Sequence, residues 1–190
     1  GTVNMDEITF TFSRKVLDRA MTIEMNEVDL EGGLEDSPED ELLIEASQLI
    51  GDAAEGKDVY AENKEVCDMV IAFLKKINAV LEGTPFKIGY RARNEFLMYA
   101  VNRLMLTDDE DKDAVLNIAL DEMTSMKILS RIEGDDQRIK EGLLTGLEKI
   151  LKEQFNPDSN DENSTSSISL NKIKEMKDRL KLTGFTSFWS

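Results

Sequence analysis

The stretch VCDMVIAFLKKINAVLEGTP, residues 66–85, decides the fold class of this 190-residue chain. Its apolar residues recur at intervals of three and four, which places them on one face of an α-helix. That face comprises Val66, Met69, Val70, Phe73, Leu74, Ile77, Val80 and Leu81. Gly83 and Pro85 predict the end of the helix. Cys67 lies beside the apolar face, and we expect it to be a small buried hydrophobic residue.

The same helical spacing recurs along the chain and predicts a helical bundle. Further helices are predicted over residues 38–50, 95–106, 114–132, 137–155 and 170–180. Near the N-terminus the pattern predicts a short helix over 12–17 and a strand over 20–25, which look like the end of a larger sheet. The aromatic residues after Gly184 are expected to pack on the protein's own core.

The formal net charge of −16 is concentrated in one block of the sequence. Residues 23–65 contain 15 acidic and two basic residues, whereas the rest of the chain contains 24 acidic and 21 basic residues. Two interpretations remain open: a solvated connecting segment, or a docking patch for a basic partner. We do not expect this region to contact nucleic acid directly, because affinity for a phosphate backbone depends on Lys and Arg.

The composition excludes several classes of site. The chain has no His and one Cys, so it has no His-ligated metal site, no Ser-His-Asp triad, no Cys-His pair and no internal disulfide. No apolar run approaches the roughly 20 residues that a membrane span needs, and the N-terminus does not resemble a signal peptide. We therefore expect a cytoplasmic protein without membrane contact.

One apparent nucleotide motif is a chance match. Residues 51–57, GDAAEGK, fit the first seven positions of the phosphate-binding loop G-x-x-x-x-G-K-[ST]. The eighth position should carry a hydroxyl that holds Mg²⁺, but it is Asp58. The surrounding carboxylates would also repel a phosphate group.

Four other stretches resemble an AAA+ nucleotide-hydrolysing ATPase or GTPase. GTVNMDE (1–7) followed by FSRKVLDRA (12–20) is similar to the second half of the AAA+ core, where a strand ends in a polar sensor and a helix with a distal arginine follows. IGYRARNE (88–95) looks like the second sensor at the start of a lid helix. KILSRIEG (127–134) and LTGFTSF (182–188) are similar to the C-terminal region. The resemblance is closest to the McrB-like branch, the GTP-using motor subunits of methylation-dependent restriction systems.

The resemblance implies catalytic roles for residues near the N-terminus. Asn4 would be the first sensor and would hydrogen-bond the γ-phosphate or the attacking water, with assistance from Asp6. Arg19 would be the arginine finger that reaches the nucleotide of a neighbouring subunit, because a guanidinium stays charged and forks onto phosphate oxygens. Arg14 on the same segment is the alternative finger.

The lid supplies the remaining nucleotide contact that the resemblance implies. Arg93 would be the second sensor, and Arg91 is the alternative. Both cations stand at the start of a helix, where they oppose the macrodipole unless an anion binds there. The nucleotide would be GTP or ATP with Mg²⁺, and no residue of this chain is predicted to bind the metal.

The expected fold is mainly α: a helical AAA+ lid domain preceded by a C-terminal remnant of the α/β P-loop core. The divisions are residues 1–25 for the end of the core, 26–65 for an acidic connector, 66–155 for the lid with its second sensor, 156–169 for a flexible linker, and 170–190 for a C-terminal helix with an aromatic tail.

The function that the resemblance implies is that of the C-terminal part of a motor that forms a homo-oligomeric ring and drives a nuclease-type restriction partner. The phosphate-binding loop and the acidic Mg²⁺ motif are expected upstream of Gly1, so this region alone should hydrolyse no nucleotide and bind none tightly. Two alternatives stay open: an AAA+ remodelling chaperone of the MoxR type, and a helical protein-interaction module without nucleotide chemistry.

Overall fold

The computed structural model describes residues 2, 12–25, 30, 55–108, 111–135, 137, 139, 141–155 and 167–189, and within them the protein is mainly α. The helices are α1 (Arg14–Leu17), α2 (Gly56–Glu62), α3 (Lys64–Val80), α4 (Tyr90–Met105), α5 (Lys112–Met123), α6 (Glu141–Phe155) and α7 (Ile168–Thr183). Two short strands, β1 (Glu133–Asp135) and β2 (Phe185–Ser187), pair antiparallel with Glu133 opposite Ser187. The predicted mainly α class is confirmed.

Helix α3 buries an apolar face in the bundle, as the stretch 66–85 predicts. Its apolar face packs against α4 and α6 and is almost completely buried at Val70, Phe73 and Ile77. Cys67 is fully buried among these residues, as expected. The helix is followed by a turn in which Gly83 adopts a positive φ of 74°, a conformation that favours glycine.

The helix predicted over 114–132 is α-helical only in its first half. Helix α5 ends at Met123, and the chain continues as a π-helical turn, Thr124–Ile128, and a 3₁₀ turn, Leu129–Arg131. The Thr124 hydroxyl donates to the carbonyl of Leu120 at 2.6 Å, and such back-bonding loosens the regular ladder. The wider π turn brings two residues that are adjacent in sequence, Lys127 and Ile128, into the interior.

The predicted strand over residues 20–25 is wrong. These residues have no regular secondary structure, and the part of the chain that the structure describes offers no neighbouring strand there. Side-chain contacts hold the segment on the bundle instead. The Thr22 hydroxyl donates to the carbonyl of Met126 at 2.8 Å, and Glu24 forms an ion pair with Lys172 of α7.

The C-terminal aromatic residues pack on the protein's own core, as predicted for this tail. Helix α7 ends at Gly184, whose φ of 72° forms a left-handed cap. Phe188 is then 1% exposed, and the Trp189 ring contacts Phe12 edge-on at a centroid distance of 6.2 Å. The tail therefore joins the N-terminal segment to α7.

Some predictions fall on residues that the structure does not describe. The predicted helix over 38–50 lies there, and so does most of the predicted linker over 156–169, although α7 begins at Ile168. Among the helices that are described, none combines the length and the apolar character needed to cross a membrane.

Candidate functional site

An open depression of about 470 Å³ lies where the N-terminal segment meets the first turns of α4. Its lining comprises Arg19, Arg91, Asn94, Glu95 and Met98. Two of the residues proposed for nucleotide contact, Arg19 and Arg91, thus share one depression although they are distant in sequence.

The geometry of α4 separates the two candidate second sensors. The residues of α4 that line the depression are Arg91 and residues three, four and seven positions after it, which share one helix face. Arg93 lies two positions after Arg91 and does not line the depression. The Arg93 Nε and Nη2 donate to Asn94 Oδ1 at 3.0 and 2.7 Å, and its guanidinium lies 5.0 Å from the centroid of the Tyr90 ring. Of this pair, Arg91 lines the depression with Arg19.

A buried lysine beneath the depression ties its two walls together. Lys127 is 1% exposed, and its Nζ lies 2.7 Å from Glu95 Oε2 on α4. The same Nζ donates to the carbonyls of Asp18 and Ala20 at 3.1 and 2.9 Å. Two of the three ammonium donors thus bind carbonyls, and Glu95 Oε2 is held by charge, since it has no hydrogen-bond partner among the described residues. Sequence reasoning did not identify Lys127, although a single cation within the apolar run 126–129 is a signal of a buried, paired charge.

The carboxylate of Asp18 only partly neutralises the neighbouring guanidinium groups. Asp18 Oδ2 lies 4.0 Å from Arg91 Nη1, and Oδ1 lies 3.6 Å from Arg131 Nη1. Both contacts are longer than a charge-assisted hydrogen bond, which is typically 2.7–2.9 Å. The Nε of Arg131 is buried and has no hydrogen-bond partner among the residues that the structure describes.

Positive charge therefore exceeds negative charge around the depression, in a protein whose formal net charge is −16. The N-terminus of α4, which begins at Tyr90, adds the positive end of its dipole. An anion is the ligand that this arrangement favours. The cationic side chains are Arg19, Arg91, Lys127 and Arg131, and the carboxylates are Asp18 and Glu95.

Helix α2 packs against α4 next to the depression and contains the last two residues of the GDAAEGK stretch. Gly56 is the first residue of α2 and is buried against Asn94. A Cβ at Gly56 would lie 2.5 Å from Asn94 Oδ1, so a larger residue here would displace the Asn94 side chain. Lys57 pairs with Glu55 at 2.9 Å on the surface. The described part of the stretch thus opens a helix and forms no phosphate cradle.

The remaining candidate residues are not brought to the depression by the described structure. Asn4 and Asp6 lie outside the described residues. Arg14 belongs to α1, and its side chain is not described. In the described ranges, no three His, Cys, Asp or Glu side chains are grouped so that they could hold a metal ion.

Comparison with known proteins gives one match. Neither the curated proteins nor the solved structures contain a significant match to this sequence. A family model matches residues 44–185, which is most of the chain and includes α2 to α7. The chain therefore belongs to the family described as a domain of unknown function, DUF8727.

Proposed function

We propose that this chain is the C-terminal part of an AAA+ nucleotide-hydrolysing motor similar to the McrB-like subunits, with residues 66–155, which include most of α3 and all of α4–α6, as its lid. One observation carries the proposal: Arg19 and Arg91, from two separate stretches that resemble this family, line the same depression. The segment 12–25 would then be the end of the α/β core. Residues upstream of Gly1 would supply the phosphate-binding loop and the Mg²⁺ ligands.

The chemistry of the depression suits the phosphate chain of GTP or ATP. Phosphoryl transfer is catalysed mainly by positioning and by stabilising charge on phosphate oxygens. Two guanidinium groups that face one solvent volume can each form forked hydrogen bonds to such oxygens. Because Asp18 holds Arg91 only at 4.0 Å, that guanidinium can rearrange toward a ligand at little cost.

The first experiment measures the binding of inorganic triphosphate to the 190-residue chain by calorimetry at low ionic strength. We expect Arg19→Ala and Arg91→Ala each to weaken binding about tenfold, since a charge-assisted hydrogen bond is worth about 1.5 kcal/mol or more. Arg103→Ala is the matched control, because it removes the same charge from the other end of α4. Arg103 lies in the last turn of that helix and pairs with Glu122 at 3.5 Å. Equal effects of all three substitutions would contradict the proposed site.

A second measurement concerns turnover. The 190-residue chain should hydrolyse neither GTP nor ATP when Mg²⁺ is present, because the proposal assigns the phosphate-binding loop and the metal ligands to other residues. Asn4 and Arg19 would contribute to turnover only in the homo-oligomeric ring of the intact motor. Clear Mg²⁺-dependent hydrolysis by this chain alone would refute the proposal.

A protein-interaction module is the second candidate function, and exposed apolar side chains in the N-terminal segment favour it. Ile23 and Met25 lie two residues apart and are 75% and 87% exposed. In the motor proposal they would contact the remainder of the core. If triphosphate does not bind, and Ile23→Ser abolishes self-association or capture of a basic protein, the interaction module is the better proposal.

The motor proposal includes two classes of AAA+ protein, and they differ in the partner on which the ring acts. A McrB-like ring would co-assemble with a nuclease-type restriction subunit, whereas a MoxR-type ring would remodel a protein client. Co-purification of the intact ring with each type of partner separates them. Neither class requires this region to contact nucleic acid.

A further inference from the structure

We propose that Lys127 is a positioning residue that holds Arg19 and Arg91 at a fixed separation. This inference rests on the proposed function of the depression. The ammonium of Lys127 donates to the carbonyls on both sides of Arg19, those of Asp18 and Ala20. It also pairs with Glu95, which lies one helical turn after Arg91 on the same face of α4.

These contacts restrict the backbone at Arg19 more than a surface ion pair could. Lys127 is buried, so each of its hydrogen bonds forms in a medium of low dielectric and is costly to break without replacement. Two of the bonds hold the peptide groups 18–19 and 20–21, which flank Arg19 and its following peptide, and so restrict the direction in which the Arg19 side chain leaves the backbone. The exposed guanidinium of Arg19 is thereby presented on a rigid base, although the segment has no regular secondary structure.

The local backbone around Lys127 supports a positioning role. The residue lies within the π turn Thr124–Ile128, and single π turns inside helices are frequent at functional sites. The Ser130 hydroxyl donates to the carbonyl of Met126 at 2.7 Å and so provides a partner for backbone that the turn displaces. The same carbonyl accepts the Thr22 hydroxyl, which adds a second link to the N-terminal segment.

The chain offers a matched control in Lys172. This lysine is also buried, also pairs with a carboxylate of the N-terminal segment, Glu24, and lies 4.8 Å from the centroid of the Phe188 ring. Its contacts with the segment are five residues away from Arg19. Replacing Lys172 therefore removes an equally buried charge and an anchor of the same segment, but leaves the hydrogen bonds around Arg19 in place.

The test compares triphosphate binding to the wild-type chain with binding to the Lys127→Met, Lys172→Met and Arg19→Ala variants. We expect Lys127→Met to weaken binding about tenfold and Lys172→Met less than twofold. In the Lys127→Met background, a further Arg19→Ala substitution should have less than a twofold effect, because the guanidinium has already lost its position. Trypsin cleavage after Arg19 should accelerate in Lys127→Met and not in Lys172→Met.

A double variant separates positioning from simple neutralisation of charge. Lys127→Met leaves Glu95 as an unpaired carboxylate beside the depression, and Lys127→Met with Glu95→Gln removes that carboxylate. If Lys127 acts by positioning, binding to the double variant stays at least fivefold weaker than wild type. Recovery of wild-type affinity would overturn the inference and would assign Lys127 an electrostatic role only.

The outcomes distinguish this inference from the proposed function. If wild type does not bind triphosphate, or if Arg19→Ala binds as well as wild type, the proposed function fails. If Arg19→Ala weakens binding but Lys127→Met behaves like Lys172→Met, only the positioning role fails.

A measurement on the unmodified chain applies if the Lys127 variant does not fold. The Nζ signals of Lys127 and Lys172 are followed by ¹⁵N NMR while triphosphate is added. We expect the Lys127 signal to shift and the Lys172 signal to stay in place. Equal shifts, or none, would overturn the positioning role.

Discussion

Two aspartates, Asp121 on α5 and Asp18 in the turn after α1, differ sharply in how many hydrogen bonds their carboxylates accept. Asp121, near the end of α5, is 8% exposed. Its Oδ1 accepts hydrogen bonds from the Ser167 hydroxyl and the Ser169 amide at 2.9 and 3.0 Å, and its Oδ2 accepts one from the Ile168 amide at 2.9 Å. The carboxylate thus caps the N-terminus of α7, where the helix dipole also favours negative charge.

Asp18 is the contrasting case. Its side chain is 45% exposed, and its contacts with Arg91 and Arg131 are 4.0 and 3.6 Å long. Both oxygens of Asp121 accept hydrogen bonds of normal length. Asp18 lies near two guanidinium groups and forms only long ion pairs with them. Asp121 therefore joins α5 to α7, whereas the groups around Asp18 leave positive charge unpaired, and the proposed function assigns that charge to an anion.

Replacing Asp121 should have the largest effect on stability. We expect Asp121→Ala to lower the free energy of unfolding by about 3 kcal/mol, because two backbone amides and the buried Ser167 hydroxyl lose a charged acceptor together. Asp121→Asn should cost roughly half as much, since one oxygen acceptor remains. The measurement is urea unfolding followed by the fluorescence of Trp189, the single tryptophan.

Asp178→Ala is the control for that prediction. Asp178 is an exposed aspartate on α7, and its replacement should change the free energy of unfolding by less than about 0.5 kcal/mol. Similar losses for the two variants would show that the cap at Asp121 is not what holds α5 to α7.

Replacing Asp18 should instead strengthen anion binding while leaving stability nearly unchanged. Removing one negative charge beside the depression should tighten triphosphate binding about two- to tenfold, which corresponds to a Coulomb energy of roughly 0.5–1.4 kcal/mol. The lost ion pairs are long and exposed, so the free energy of unfolding should fall by less than about 1 kcal/mol.

Glu153→Ala controls for the change in net charge, because Glu153 is an exposed carboxylate of α6 whose contact with Lys149 is 4.0 Å. It should leave triphosphate binding unchanged within about 1.5-fold. If Asp18→Ala binds triphosphate no more tightly than this control, the Asp18 carboxylate does not weaken the positive potential of the depression. The proposed difference in role between Asp18 and Asp121 would then be wrong.

Local sequence patterns predict some parts of this structure and not others. Periodic apolar residues predict α3 and α7 closely, because the burial of one helix face leaves a regular spacing within the helix's own sequence. The π turn, the cap at Asp121 and the pairing of β1 with β2 were not predicted. The cap and the strand pairing depend on contacts between residues far apart in the sequence, such as Asp121 with Ser169, and no local pattern encodes such contacts. The π turn accompanies the local hydrogen bond of Thr124 to Leu120, which the spacing of apolar residues does not reveal.

The sequence also predicted only part of the candidate site. Arg19 and Arg91 were identified through resemblance to a family, and the structure adds that they share a depression. Their support by Lys127 was missed, because a lysine in an apolar run does not reveal which carbonyls it will bind. The strand predicted over 20–25 was wrong, since weak alternation cannot specify a strand that lacks a partner within the described chain.

The smallest effect concerns Glu122, the residue after Asp121, whose exposure is intermediate between the two aspartates. Its Oε2 accepts the Tyr99 hydroxyl at 2.7 Å, and its Oε1 lies 3.5 Å from Arg103. Burial, followed by the hydrogen bond to Glu122 and the charge of that carboxylate, raises the pKa of Tyr99 to about 12. The tyrosine pKa in the unfolded chain is about 10, so the unfolded state loses the proton first as pH rises.

The stability linked to Tyr99 is therefore complete below about pH 10 and disappears as pH rises toward 12. We expect the free energy of unfolding of wild type to fall more steeply over this range than that of Tyr99→Phe, as measured by urea unfolding at pH 9, 10 and 11. Glu122→Gln keeps an acceptor but removes the charge, and its slope should lie between the two. Parallel slopes for wild type and Tyr99→Phe would mean that Glu122 behaves like the weakly used Asp18, despite its place beside Asp121 on α5.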